Sequence, residues 1–251
     1  MHDQNFRDLT MAKKNKKFEE TEETFAQIEE TLGRTEQFVE SNKKYLSYIV
    51  LAVLGAIILI FAYINMVKEP AEKEAYSAIF PAEHYFEIDS LDWALNGDGT
   101  NMGFLDIIDE YGSTKSGNLA NYYAGACYLK LAAKDESMKE EYLNDAIDHL
   151  NDFDSDDIIV KAMALGMTGD AYMELGDMDK AISYYNKAAK HQENDFTTPL
   201  FLKKLGMTYS MQGDHEKALE AFNKIKTDYY RSAQGQDIKK YIGREEGYLN
   251  K

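Results

Sequence analysis

The sequence has few of the residues on which several classes of protein depend. Cys127 is the only cysteine among 251 residues, so no intramolecular disulfide and no thiolate metal cluster can form. One cysteine fits a cytosolic protein, and it equally fits an envelope protein that avoids cysteine. There are 28 lysines and arginines against 44 aspartates and glutamates, a net charge of −16. Nucleic acid is therefore not expected as a partner, because binding a phosphate backbone requires basic stripes.

Charge is absent from one long segment. Residues 45–67, YLSYIVLAVLGAIILIFAYINMV, contain no charged side chain. As a helix rising about 1.5 Å per residue the segment would extend about 34 Å, enough to cross a hydrocarbon core of about 30 Å. We predict a single transmembrane helix at 45–67, and a buried core helix is the alternative. The length and the position of the segment argue against a cleaved signal peptide.

Basic residues are more frequent before this segment than directly after it. Eight lysines and arginines precede it, whereas Lys68 and Lys73 are the only ones between it and Lys115. The positive-inside rule then predicts a cytoplasmic N-terminus and translocation of residues 68–251. The opposite orientation would leave the same domain in the cytosol. This domain has 20 lysines and arginines against 34 aspartates and glutamates, a net charge of −14.

Residues 1–44 are predicted to form a cytoplasmic, acidic leader. Apolar side chains occupy a and d positions of a heptad pattern, which predicts one amphipathic helix leading into the span. These side chains are Phe18, Phe25, Ile28, Leu32 and Val39. Polar residues at the other core positions leave open a coiled-coil homodimer or a solvated helix that docks a cytosolic partner. We expect residues 1–10 to be a tag or to follow an early start codon, with Met11 as the natural first residue.

Beyond the span, the sequence predicts helices only. Residues 68–117 are expected to form a linker helix and a degenerate helical repeat, with NGDG at 96–99 as a turn. Pro70 and Pro81 mark helix starts or a kink. Since no persuasive period-2 strand pattern occurs, we predict an all-α domain.

Self-comparison of residues 118–251 shows two similar units 37 residues apart and a third, poorer copy around Gly125. The small residues of each unit allow two helices to approach closely, the glycine of a Gly-Asp pair makes the turn, and the aspartate caps the next helix. Residues Thr198-Pro199 are expected to cap the following repeat. The aligned pairs are Gly169 with Gly206, Tyr172 with Tyr209, Gly176-Asp177 with Gly213-Asp214, Ala181 with Ala218, and Tyr185 with Phe222.

The C-terminal residues 232–251 are expected to form the capping helix that a solenoid needs. Its buried face is predicted to carry Ile238, Tyr241, Ile242 and Leu249.

These repeats resemble the tetratricopeptide repeat family, whose unit is a helix-turn-helix of about 34 residues. The resemblance implies an all-α protein in which a single N-terminal transmembrane helix precedes an α-solenoid at 118–251. It also implies that the first helix of each repeat lines a concave groove for peptide segments. Methionine suits a surface that accepts varied apolar partners, although filling gaps between repeats is the alternative role. The candidate groove residues are Tyr122, Leu129, Lys130, Met163, Asp170, Met173, Glu174, Lys203, Met207, Ser210 and Met211.

The membrane anchor, the acidic leader and the outer repeat domain together resemble the YfgM-like proteins of the bacterial inner membrane. The resemblance implies a non-enzymatic accessory role at the protein-export translocon, with the C-terminal domain in the periplasm. The implied partners are translocon subunits, periplasmic chaperones or exported chains. The alternative is a structural scaffold that docks one fixed partner in an envelope complex. We expect no catalytic residues and no cofactor.

The acidic stretch NDFDSDDII at 151–159 places aspartates at alternate positions, as a calcium loop does. It lacks the glycine and the glutamate that such a loop requires at its sixth and twelfth positions, so we expect no metal there. A solvated loop with Ser155 or Asp156 as a helix cap is the preferred interpretation. Cys127 is expected to be a buried small residue and not a nucleophile.

Overall fold

The computed structural model of the protein describes residues 37–250, which contain helices and no strand. The predicted all-α fold is therefore confirmed for this part of the chain. The heptad helix of the leader, and with it the homodimer, falls almost entirely outside the described residues, of which 37–41 are helical. The chain divides into one unit that ends at Met66 and a second that begins at Val67.

The first unit contains the apolar segment. Helix α1 spans Lys43–Tyr63, and a π-helical turn follows at Ile64–Lys68. None of the side chains in α1 is buried. A helical run at Lys43–Glu87 has the length and composition to cross a membrane, with a mean hydropathy of 2.6 over its most apolar 18 residues.

The second unit is built from helices joined by short connections. Their bounds are α2 Glu69–Glu87, α3 Leu91–Asn96, α4 Phe104–Tyr111, α5 Lys115–Ala132, α6 Lys139–Asp152, α7 Ile158–Glu174, α8 Met178–Lys190, α9 Thr197–Gln212, α10 His215–Asp228 and α11 Ala233–Leu249. Helices α5 and α6, α7 and α8, and α9 and α10 form three consecutive pairs, and α11 packs against the last of them.

Helices α2, α3 and α4 pack against α5 and occupy the segment expected to be a degenerate repeat. Ile79, Phe104 and Ile107 share one buried cluster with Cys127 of α5. The ring of Phe104 stacks on that of Tyr123 with centroids 5.1 Å apart. This cluster closes the N-terminal end of the repeat core, which would otherwise expose the apolar face of α5.

Glycines allow the two helices of each pair to approach closely, as the repeat pattern predicts. A methyl group on Gly169 would lie 2.7 Å from the ring of Tyr185, and one on Gly206 would lie 2.5 Å from the ring of Phe222. In the upstream pair, a methyl group on Gly125 would lie 2.5 Å from Leu150. Carbon atoms normally meet at about 3.5–4.0 Å, so only glycine fits at these three positions without displacement of its neighbours.

The Gly-Asp pairs make the turns and caps that the sequence predicts. Gly176 and Gly213 adopt φ angles of 79° and 83°, a region that glycine enters without steric cost. The carboxylate of Asp177 accepts from the backbone N–H of Lys180 at 3.0 Å, and that of Asp214 accepts from Lys217 at 3.2 Å. These glycines and aspartates therefore serve packing and capping.

The predicted cap at Thr198-Pro199 is wrong. Both residues lie inside the first turn of α9, where they are buried. The side-chain oxygen of Asn194 accepts from the backbone N–H groups of Phe196 at 2.9 Å and Thr197 at 2.8 Å. Helix α9 begins earlier than expected. The side chain of Asn194, three residues before the helix, therefore accepts the hydrogen bonds of the first backbone N–H groups.

The cap predicted at Ser155 or Asp156 is also wrong. Helix α7 begins at Ile158, and the carboxylate of Asp157 accepts from the backbone N–H groups of Ile159 and Val160, both at 2.8 Å. Asp157 directly precedes the first helical residue, which is the position from which a short carboxylate reaches these two amides.

The capping helix α11 is present, but its predicted buried face is partly wrong. Ile238 and Ile242 are buried and Tyr241 packs against the same cluster. Leu249 is exposed because it is the last residue of the helix. A carboxylate, that of Glu245, occupies the buried position one turn earlier.

Candidate functional site: a methionine-lined groove

A groove lies where the C-terminal halves of α7, α9 and α11 run side by side. It consists of two neighbouring concavities, and Met207 and Met211 of α9 line both of them. We call this surface the methionine groove and define it by Asp170, Met173, Glu174, Lys204, Met207, Ser210, Met211, Arg244 and Tyr248.

The repeat geometry brings these side chains together. Lys204 contacts Asp170 and Thr208 contacts Met173, each pair being separated by 34 or 35 residues along the chain. Ser210 contacts Glu245 at the same separation. Contacts between residues 34 or 35 positions apart arise when the first helices of successive repeats lie side by side in register. Equivalent positions of each repeat therefore form one continuous surface.

Methionine side chains supply the apolar floor and rim of the groove. Met207 is 39% exposed and Met211 is 61% exposed, although both are large apolar residues. Met173 is half-buried against the core, and its sulfur lies 3.6 Å from the hydroxyl of Thr208. Unbranched thioether side chains adapt to differently shaped apolar partners. The surface can thus receive an apolar side chain without one fixed shape.

A polar cluster crosses the groove between α7 and α9. The carboxylate of Asp170 lies 2.6 Å and 2.7 Å from the amine of Lys204, and it accepts from the hydroxyl of Tyr185 at 2.7 Å. Burial, followed by the charge of Asp170, raises the pKa of Tyr185 above its usual range. Tyr185 therefore remains a neutral donor at physiological pH, and Asp170 is held in one position by two donors.

The far wall of the groove is organised around a buried carboxylate. Glu245 accepts from Ser210 at 2.9 Å and from the Nε of Arg244 at 2.8 Å, and it lies 2.7 Å from the Nδ1 of His215. Burial would raise the pKa of Glu245, but these hydrogen bonds outweigh burial and lower it. The ring of His215 stacks on that of Tyr248 with centroids 4.5 Å apart. The network fixes α11 against α9 and α10 and so closes the groove.

Six of the eleven sequence-predicted residues line the groove, and five lie elsewhere. The six are Asp170, Met173, Glu174, Met207, Ser210 and Met211. Tyr122 contacts the ring of Phe153 at 5.4 Å, and Leu129 and Met163 pack against core clusters.

Two predicted lysines are engaged within the domain. Lys130 pairs with Asp89 at 3.1 Å and lies over the ring of Phe86 at 4.5 Å. Lys203 pairs with Asp237 at 3.0 Å and lies over the ring of Tyr241. Both lysines connect a repeat helix to a neighbouring helix, which accounts for their position outside the groove.

Sequence reasoning did not identify Lys204, Arg244 and Tyr248 as groove residues. Arg244 and Tyr248 belong to α11, which the sequence indicated only as a cap. The signal that could have found Arg244 is its separation of 34 residues from Ser210. The last helix continues the lateral packing of the first helices even though no complete repeat follows it.

Within the described residues 37–250, no group of three or more His, Cys, Asp or Glu side chains is arranged to hold a metal ion. Cys127 is buried, and burial raises the pKa of its thiol to about 12. Its environment is thus that of a structural thiol, as the sequence predicts.

Comparison with known proteins shows what the repeats are similar to. Residues 160–227, which comprise most of α7 together with α8, α9 and nearly all of α10, match the family model of the tetratricopeptide repeat. A solved structure, that of a thermophilic TPR protein of Thermus thermophilus, is 17% identical in sequence, with a TM-score of 0.45. The alignment covers 81% of this chain and 95% of that one. No curated protein matches the sequence. Residues 160–227 are therefore similar to the tetratricopeptide repeat, in keeping with the paired helices of this segment.

Proposed function

We propose that this protein is a non-enzymatic, membrane-anchored module that binds partner proteins through the methionine groove. Tetratricopeptide repeats typically mediate contacts between proteins, which makes protein partners plausible. We further propose that it serves the protein-export translocon as an accessory, or acts as a chaperone-like factor in the periplasm. Its partners would be translocon subunits, periplasmic chaperones or exported chains.

The observation that carries this proposal is the convergence of Met173, Met207 and Met211 on one open surface. Two of these side chains are exposed to solvent although their burial would be favourable. Exposed apolar side chains rimmed by polar groups are typical of protein interaction sites. An exported chain presents apolar segments of many sequences before it folds. Flexible thioethers would accommodate such segments better than branched side chains do.

The polar groups of the groove complement a peptide backbone. Lys204 and Arg244 contribute N–H groups to its lining, and Asp170 and Glu174 contribute carboxylates, of which that of Glu174 also pairs with Lys139 at 2.8 Å. A bound segment could place an apolar side chain on the methionines while its backbone meets these donors and acceptors. Desolvated backbone groups would then keep hydrogen-bond partners, which limits the cost of burial.

The membrane anchor would be residues 45–67, with the N-terminus in the cytoplasm and residues 68–251 in the periplasm of the bacterial inner membrane. The support is the helical run at Lys43–Glu87 together with the excess of basic residues that precede the apolar segment. A reporter that is active only in the cytoplasm, fused after Lys251, should be inactive. Reporter activity equal to that of a cytoplasmic control would overturn this orientation.

The proposed partners can be tested by isolating the full chain from membranes in mild detergent and identifying what accompanies it. Recovery of translocon subunits and periplasmic folding factors at near-stoichiometric amounts would support the accessory role. Recovery of one unrelated envelope complex without translocon subunits would overturn it.

A scaffold that holds one fixed partner is the second candidate. The polar cluster around Asp170 favours it, because Lys204 and Tyr185 hold that carboxylate in a single position. A rigid polar pattern selects one complementary partner. Affinity measurements with a panel of unfolded polypeptides distinguish the two candidate functions. Weak binding to many of them supports the chaperone-like role, and binding to none, with one tight native partner, supports the scaffold.

A further inference from the structure

A second surface lies at the opposite ends of the first helices, where the repeats are joined. It consists of the loops at 153–159, 191–196 and 229–232. We call it the loop edge. From Ile159 to Met173 along α7 is about 21 Å at about 1.5 Å per residue, so the loop edge is separate from the methionine groove.

Hydrogen bonds between successive loops make this edge continuous. The side chain of Gln192 donates to the backbone carbonyl of Asp156 at 3.5 Å. The hydroxyl of Tyr229 donates to the carboxylate of Glu193 at 3.2 Å. Each contact joins one loop to the loop of the next repeat, and both span 36 residues of chain. The three loops therefore present their side chains along one line.

Each loop exposes a large apolar side chain beside this line. Phe196 is 63% exposed and Tyr230 is 59% exposed, and Ile158 and Ile159 are exposed at the first loop. The apolar positions recur with the repeat, once for each loop that joins two successive repeats. Helices in direct contact lie about 8–10 Å apart, and α7, α9 and α11 meet mainly through long side chains, so the apolar side chains recur at about 10 Å or more along the edge.

The loop edge is acidic around its apolar side chains. The three loops contain five aspartates and glutamates and one arginine, Arg231, which lies over the ring of Tyr230. Lys161 pairs with Asp154 and Lys224 pairs with Glu193. Within the described part of the chain, the other three carboxylates of these loops take part in no ion pair, namely Asp156, Asp157 and Asp195. Their charge would attract a basic partner and repel nucleic acid, anionic lipid or a second copy of this acidic chain.

We propose that the loop edge docks a basic amphipathic helix of a protein partner. In such a helix, residues seven positions apart are about 10.5 Å apart along the axis and lie close to one face. This interval matches the recurrence of Ile159, Phe196 and Tyr230 along the edge. Apolar side chains at heptad spacing would contact these three residues, and flanking lysines or arginines would face the carboxylates that take part in no ion pair.

The test uses the full chain in a nonionic detergent and a labelled 21-residue peptide with leucines at heptad a and d positions and lysines elsewhere. Binding is followed by fluorescence anisotropy, with empty micelles subtracted. Phe196→Ala should weaken binding by about tenfold or more, as expected for a central aromatic contact. The double variant Asp156→Asn/Asp195→Asn should weaken binding and flatten its dependence on salt.

Matched variants test whether the peptide binds at the loop edge. Ile88→Ala removes an exposed apolar side chain elsewhere and should leave binding unchanged. Met211→Ala measures how much of the same peptide binds in the methionine groove, and it should weaken binding less than Phe196→Ala does. If Phe196→Ala alters the start of α9, Ile159→Ala serves as a second loop-edge variant. A peptide of the same pattern with glutamates for lysines should not bind.

Three results would overturn the inference. They are no binding of the lysine peptide to the unaltered protein, equal losses from Ile88→Ala and Phe196→Ala, and loss of binding from Met211→Ala alone. The last result would assign the peptide to the groove. Because the two surfaces are tested by different variants, failure of the loop edge leaves the proposed role of the groove standing.

Discussion

Replacement of Gly206 by alanine tests the close approach of the two helices in the last complete repeat. The added methyl group would lie 2.5 Å from one carbon of the Phe222 ring and 2.8 Å and 2.9 Å from two others. Contacts of this kind normally measure about 3.5–4.0 Å, so the ring or the helix must move by about 1 Å. Phe222 is fully buried, so its ring can move only if its neighbours in the core move with it.

The expected change in stability is the balance of two effects. Overfilling a packed core costs about 1–3 kcal/mol, while alanine is favoured over glycine in a helix by about 1 kcal/mol. We expect Gly206→Ala to destabilise the domain by up to about 2 kcal/mol. For a domain of this size, about 1 kcal/mol corresponds to about 2–4 °C, so the thermal midpoint should fall by up to about 8 °C. Far-ultraviolet circular dichroism of the full chain in detergent measures this midpoint.

Gly243→Ala is the matched control. Gly243 is also a helical glycine, but a methyl group there would meet no atom within 4 Å. This change should therefore stabilise the domain by about 0.5–1 kcal/mol. Adding Phe222→Leu to Gly206→Ala should recover part of the loss, since a smaller side chain makes room. If Gly206→Ala raised the midpoint as much as Gly243→Ala does, the close packing at Gly206 would be refuted.

Three further changes have expected outcomes. Glu245→Gln should lower the free energy of unfolding by about 1–3 kcal/mol at pH 7 in urea titrations. Because the fold lowers the pKa of Glu245, its contribution is complete above the unfolded value of about 4.3 and is lost as the pH falls through the folded pKa. The gap between wild type and variant should therefore shrink below about pH 4, and a gap that stayed constant would contradict the ionised network. Cys127, with a pKa of about 12, should resist iodoacetamide at pH 8 until the protein is unfolded in urea. Fast labelling of the folded protein would show that the thiol is accessible. Asp177→Ala should lower the urea midpoint of unfolding through loss of the cap on α8, and an unchanged midpoint would show that the cap does not stabilise the domain.

Much of the repeat fold could be predicted from the sequence because its requirements are local. A glycine three residues before an aromatic, a Gly-Asp turn and an alanine on the second helix each impose one packing or capping condition. Gly169, Gly206 and Asp177 meet those conditions in the structure. The caps of α7 and α9 were missed because helix starts vary by a residue or two. Nearby asparagines, aspartates and threonines are then equally plausible caps.

The groove was only partly predictable, since it depends on contacts between repeats. The family positions predicted the methionines of α7 and α9, but they could not indicate that Lys203 would turn toward Asp237 or that Lys130 would pair with Asp89. Glu245 is a charged residue at a buried position, which periodicity alone would assign to an apolar side chain. Its three hydrogen-bonding partners come from two other helices and from its own neighbour, so sequence spacing did not reveal them.

The central claim is that the methionine groove binds partner proteins. The most direct measurement compares the proteins that accompany the full chain from detergent-solubilised membranes with those that accompany Met207→Ser/Met211→Ser. Both side chains are exposed, so the domain should remain folded. The control is Ile88→Ser, which changes an exposed apolar residue outside the groove. We predict that partner recovery falls by about tenfold or more in the double variant and is unchanged in the control. Equal recovery with all three proteins would contradict the claim.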